Sequence, residues 1–92
     1  MKNIQEISKL IKNLHSEAEI EKFFKELLTK SEIETLSKRW RILKLLEQGK
    51  TQRDIAKELQ VSLCKVTRGS KILRDKNSIL AKILIKENNN AK

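Results

Sequence analysis

The side chains best able to do chemistry lie in one stretch, TQRDIAKELQVSLCKVTRGS, at residues 51–70. Gln52, Arg53, Ser62, Lys65, Thr67 and Arg68 bring amide, hydroxyl, guanidinium and ammonium donors at short intervals, with Lys50 before them and Lys71 and Arg74 after. Donors of this kind meet phosphate oxygens and the acceptor edges of bases. The sequence offers catalysis no comparable set. It has no Ser-His-Asp grouping, paired-carboxylate signature, phosphate loop or metal-ligand spacing. His15 is the one histidine and Cys64 the one cysteine. An internal disulfide or a zinc site therefore has no ligands to be built from. The chain is expected to be neither an enzyme nor a metalloprotein.

To act together, these donors need two short helices held at a fixed angle. Thr51 caps the first, with Asp54 at its third position and Ile55, Ala56 and Leu59 facing inward. Gln60 and Val61 make the turn, and Ser62 caps a second helix that runs to about Ile72. Ala56 is small where the helices cross, and Ile55, Leu59, Val61 and Val66 form an apolar wedge. This is the pattern of a helix-turn-helix. Gln60 stands where such a turn favours glycine, so a left-handed backbone there carries some strain. The N-terminal end of the second helix would then enter a major groove. Ser62, Leu63, Cys64 and Thr67 face the bases, with Leu63 and Cys64 suited to a thymine methyl. Gln52 and Arg53 reach phosphate or a base edge. Lys50, Lys65, Lys71 and Arg74 meet phosphate. The competing reading is a plain helical hairpin with a solvated basic face. Cys64 beside basic residues also has the chemistry of a redox sensor, but a small side chain at the DNA face is the simpler expectation.

Four further helices are expected around this pair. Ile4, Ile7, Leu10, Ile11 and Leu14 recur at helical spacing over residues 3–14. Ser16 and Glu19 have capping-box spacing ahead of a helix bearing Ile20, Phe23, Phe24, Leu27 and Leu28. Thr29 and Glu32 repeat it ahead of a long helix to about Gln48, whose stripe is Ile33, Leu36, Trp40, Leu43 and Leu46. On that stripe Trp40 reads as core packing, while His15 reads as an exposed loop residue. Gly49 ends the long helix. Asp75, Asn77 or Ser78 caps the last helix, with Ile79, Leu80, Ile83 and Leu84 apolar and a frayed polar tail at residues 88–92. The expectation is an all-α fold of about six helices. Residues 1–92 form one DNA-binding domain: dimerisation helices at 1–48 and 76–87, and the helix-turn-helix at 51–72.

Charge points the same way. The chain carries a net charge of +9. Residues 1–31 hold six basic and five acidic side chains, while residues 32–92 hold fifteen and seven. A positive field concentrated in the second part attracts a polyanion, and nucleic acid is the usual one. The first ten residues, MKNIQEISKL, are too charged for a signal peptide, and no apolar run is long enough for a membrane span. A cytoplasmic location is expected. At 92 residues the monomer core is thin, and a homodimer is one way to enlarge it.

Over residues 28–73 the chain resembles the tryptophan repressor family. The likeness rests on LTKSEIETLSKRWRILKLLEQGKTQRDIAKEL followed by VTRGSKIL. It implies an interlocked homodimer whose two recognition helices read a palindromic operator in double-stranded DNA, and a repressor function. It also implies a small-molecule amino-acid ligand, L-tryptophan, as corepressor. In that role Arg68 pairs with the carboxylate, Arg39 stacks on the ring, Thr29 adds a hydroxyl and Gly69 admits the ring close to the backbone. No other cofactor is implied. Ile72 stands where the family has a serine that helps hold the amino group. Two alternatives stay open: a ligand-independent helix-turn-helix regulator, and a basic helical adaptor that meets an acidic protein. A structure-directed RNA binder is disfavoured by the scarcity of exposed aromatics.

Overall fold

The computed structural model describes residues 2–90. Among them are six helices and no strand: α1 (Lys2–Lys12), α2 (Glu17–Leu27), α3 (Lys30–Glu47), α4 (Gln52–Leu59), α5 (Leu63–Arg74) and α6 (Ile79–Asn90). The backbone divides into two compact units, Met1–Glu34 and Thr35–Lys92. α3 begins in the first and continues through the second.

In the first unit the helix starts are built by reciprocal capping. Ser16 Oγ accepts from the Glu19 N–H at 3.1 Å, and the Glu19 carboxylate accepts from the His15 N–H at 2.9 Å. Thr29 Oγ1 accepts from the Glu32 N–H at 3.1 Å while Glu32 accepts from the Thr29 N–H at 2.8 Å. The Thr29–Glu32 pair satisfies two backbone donors at a helix start, and Glu19 takes the N–H just ahead of its cap. The Phe23 and Phe24 rings meet edge to face at 5.6 Å. Lys25 lies 2.9 Å from Glu21. By hydrogen bond first and charge second, it holds the Glu21 carboxyl below its ordinary value. Not one described side chain of residues 3–34 is buried.

The second unit owns the core. Ile42, Ile55 and Val66 are 3%, 0% and 0% exposed, and Leu45, Leu46, Ala56, Leu59 and Val61 pack around them. The wedge expected from the sequence is therefore in place. α3 differs from its expected stripe: Ile42 is buried and Leu36 is exposed. The reason is that α3 has two apolar faces. Ile42, Leu45 and Leu46, at i, i+3 and i+4, turn to the helix-turn-helix. Leu36, Trp40 and Leu43 lie on a neighbouring face.

Gly49 ends α3 at φ +92°, with its N–H bonded to Leu46 O and that of Lys50 to Leu45 O. Thr51 and Ser62 cap α4 and α5 through hydrogen bonds from the Asp54 and Lys65 N–H groups. Gln60, at φ 56° and ψ 47°, is left-handed as the turn requires.

Three expectations at the end of the chain need correction. α5 continues to Arg74. α6 begins at Ile79 rather than at residue 76; Ser78 Oγ accepts from the Ala81 N–H at 3.1 Å, so of the three expected caps Ser78 is the one used. Asp75 instead accepts from the Asn77 N–H and shapes the turn. Residues 88–90 are helical, so α6 runs past its expected end at residue 87, because each residue added to an existing helix gains a hydrogen bond at small propensity cost. The rest of the expected tail, residues 91–92, lies outside the described residues. Among the described side chains of α6 only Leu84 is buried; Ile79 and Ile83 are 70% and 45% exposed. Lys44 on α3 reaches Glu87 on α6 at 3.6 Å. Among the described residues no helix is long and apolar enough to cross a membrane.

Candidate functional site

α4 and α5 pack together through the buried pair Ile55 and Val66. That contact turns the other side of α5 to solvent. Leu63, Cys64, Lys65, Arg68 and Lys71 are exposed. A shallow groove of about 360 Å³ runs along Leu63, Cys64, Thr67, Arg68 and Lys71. Gln52, at the first position of α4, is half-buried against this face, and Arg53 beside it is exposed. The Thr67 hydroxyl lies 2.9 Å from Gln52 Oε1 and 3.0 Å from the Leu63 carbonyl oxygen. Ser62 stands at the helix start as its cap.

The cations here are mostly unspent. Among the described residues Arg53, Lys65, Arg68, Lys71 and Arg74 make no ion pair. Lys50 is different, because its ammonium pairs with Glu58 on α4. Its charge is shared with the protein, which the sequence spacing did not reveal. With unpaired cations around it, the face suits a phosphate backbone.

Beside this face lies a cavity of about 410 Å³. α3 contributes Leu36, Arg39, Trp40, Ile42 and Leu43, α5 contributes Lys65, Arg68, Gly69 and Ile72, and Leu80 comes from α6. Three of the four residues that the resemblance assigns to a ligand are affected: Arg39, Arg68 and Gly69 share this one lining. Thr29 belongs to the first unit, where its hydroxyl accepts the capping bond from Glu32. Gly69 is buried, and a Cβ on it would stand 3.0 Å from Ile42 Cγ2 and 3.3 Å from Leu46 Cδ1. Its missing side chain thus lets α5 close on α3.

Sequence reasoning missed two contributors. Trp40 is half-buried and lines the cavity, although its stripe position reads as core; its place next to Arg39 was the available signal. Lys65, read as a phosphate contact, also lines the cavity. The lining is apolar with three cations and no carboxylate. Its chemistry suits an apolar body that carries an anionic group. No group of residues that could hold a metal ion occurs among the described residues.

The model of the Trp repressor protein family matches residues 2–88, nearly the whole chain. The chain belongs to the Trp repressor protein family. Comparisons with curated proteins and with solved structures gave no match. Trp repressor proteins are DNA-binding transcription regulators, not enzymes. The chain is accordingly a helical DNA-binding regulator, and α4 and α5 are its helix-turn-helix.

Proposed function

We propose that the protein represses transcription as a homodimer, and that an aromatic amino acid, L-tryptophan, is its corepressor. The observation that carries this reading is the meeting of Arg39 and Arg68 in one apolar cavity directly behind α5. A guanidinium fork pairs with a carboxylate through two parallel hydrogen bonds, and a second guanidinium stacks on a ring. A ligand held this way touches α3 and α5 at once. It favours whichever position of α5 fits the major groove, by its difference in affinity for the two positions.

On the DNA side, Ser62, Leu63, Cys64 and Thr67 face the groove floor, Gln52 and Arg53 stand at its edge, and Lys65 and Lys71 meet phosphate. Dimerisation is supported by the first unit, where Ile4, Leu10 and Leu27 are each more than half exposed. Large apolar side chains left exposed in this number on two amphipathic helices suit an interface. A two-fold dimer would set two α5 helices about 34 Å apart, one turn of DNA.

Two features of the lining favour regulation without a ligand. Ile72 lines the cavity where a polar partner for an ammonium group would help, and Trp40 already brings an indole to its wall.

The test is selection of binding sites from a random duplex pool, paired with sedimentation. A palindromic site and a dimer at micromolar concentration are expected. A folded, cooperative monomer that binds all duplexes alike would refute the proposal.

A further inference from the structure

Gln52 and Thr67 lie fifteen residues apart in the chain, on different helices, yet their side chains touch. The Thr67 hydroxyl donates to Gln52 Oε1 at 2.9 Å, in a half-buried position between α4 and α5. A threonine inside a helix ordinarily gives its proton to the carbonyl four residues back. That acceptor, Leu63 O, is also in range at 3.0 Å. The single hydroxyl proton is thus shared between the backbone of α5 and the Gln52 amide.

The consequence lies in the geometry of a primary amide. Its oxygen only accepts and its nitrogen only donates, and the two sit on opposite branches of one planar group. With the oxygen turned toward Thr67, the nitrogen points away from α5. Among the described residues no acceptor is hydrogen-bonded to that nitrogen. A free glutamine reads adenine, by accepting from N6 and donating to N7 at the same time. A glutamine whose oxygen is held inward has only two donors to offer. Guanine presents two acceptors, N7 and O6, on its major-groove edge.

We propose that Thr67 is a positioning residue which sets the base preference of Gln52, locking its amide as a donor that selects guanine over adenine. Thr67 then acts on specificity without needing to touch a base. The inference rests on the reading of α4 and α5 as the DNA-binding face.

The test uses the full-length protein and sites selected from a random duplex pool. Affinity is measured for every single-base-pair change in the selected half-site. Wild type should prefer guanine at one position whose preference is lost in Gln52→Ala, by about five- to 150-fold. Thr67→Val keeps the shape of the side chain and removes the hydroxyl. It should bring guanine and adenine close to equal at that same position. Thr67→Ser should restore the guanine preference. In Gln52→Ala, adding Thr67→Val should change nothing further. Thermal unfolding of each variant, with Thr67→Ala as a second truncation, separates a misfolded protein from a misoriented amide. The proposal is overturned if folded Thr67→Val keeps the guanine preference, or if it weakens all sites uniformly. Additive effects of the two changes at separate positions would also overturn it. If wild type selects no site at all, the DNA face itself is wrong and the proposal falls with it.

Discussion

Gly69 and Ile42 are so close that a Cβ on the glycine would stand 3.0 Å from Cγ2 of the isoleucine. Ile42 is 3% exposed and β-branched, so it has little room to give. This contact fixes how near α5 can come to α3, and therefore how near Arg68 comes to Arg39. Gly69→Ala gains about 1 kcal/mol of helix propensity but meets an overpacking cost of about 1–3 kcal/mol. The net expectation is a loss of about 1 kcal/mol in a urea titration. An increase in stability would mean that α3 and α5 are less tightly keyed than the contact implies.

Gln60 is the one non-glycine residue with positive φ among those described, at φ 56°. A side chain costs roughly 1–2 kcal/mol in this conformation, while glycine costs more in the unfolded chain. Gln60→Gly should therefore stabilise the protein by about 0.5–1 kcal/mol without altering site preference. Thermal unfolding and a competition binding assay measure the two effects. Destabilisation would show that the Gln60 side chain makes a contribution that the turn geometry does not explain.

Lys71 is exposed beside the α5 groove and makes no ion pair among the described residues. If it neutralises a phosphate, Lys71→Ala weakens binding to specific and random duplexes alike. The slope of log affinity against log salt should fall by about one. An unchanged slope would remove Lys71 from the interface.

Much of the fold was legible in the sequence because its signals are local. Capping residues three apart placed the starts of α2, α3 and α4, and Ser62 alone placed that of α5. A small Ala56 and the apolar set Ile55, Leu59, Val61 and Val66 specified the wedge. Charge counting found the basic part of the chain. What was not legible depends on which of two faces a helix turns inward. Ile42 and Leu36 both fit a helical period on α3, and only packing against α4 and α5 decides between them. α6 presents the same ambiguity: Leu84 is buried, whereas Ile79 and Ile83 are exposed. The Thr67–Gln52 bond and the Lys50–Glu58 pair join residues far apart in sequence, where spacing carries no information. The cavity was foreseen only through a family likeness that paired Arg39 with Arg68. The share of Trp40 and Lys65 in it is a result of the fold.

Whether a ligand between Arg39 and Arg68 strengthens DNA binding is tested most directly by operator affinity with and without L-tryptophan. Calorimetric heat for one tryptophan per subunit and a tighter operator complex are expected. By linkage, operator must tighten tryptophan binding by the same factor. Arg68→Ala should lose the heat, because the carboxylate loses its bidentate partner. Since Arg68 is also exposed on the DNA side, its heat is measured on the free protein. A carboxylate without the amine, such as an indole alkanoic acid, should compete, given a lining of three cations and no carboxylate. No heat at millimolar tryptophan and an operator affinity unchanged by it would contradict the corepressor reading. The helix-turn-helix would remain, with Arg39 and Arg68 left to packing and phosphate.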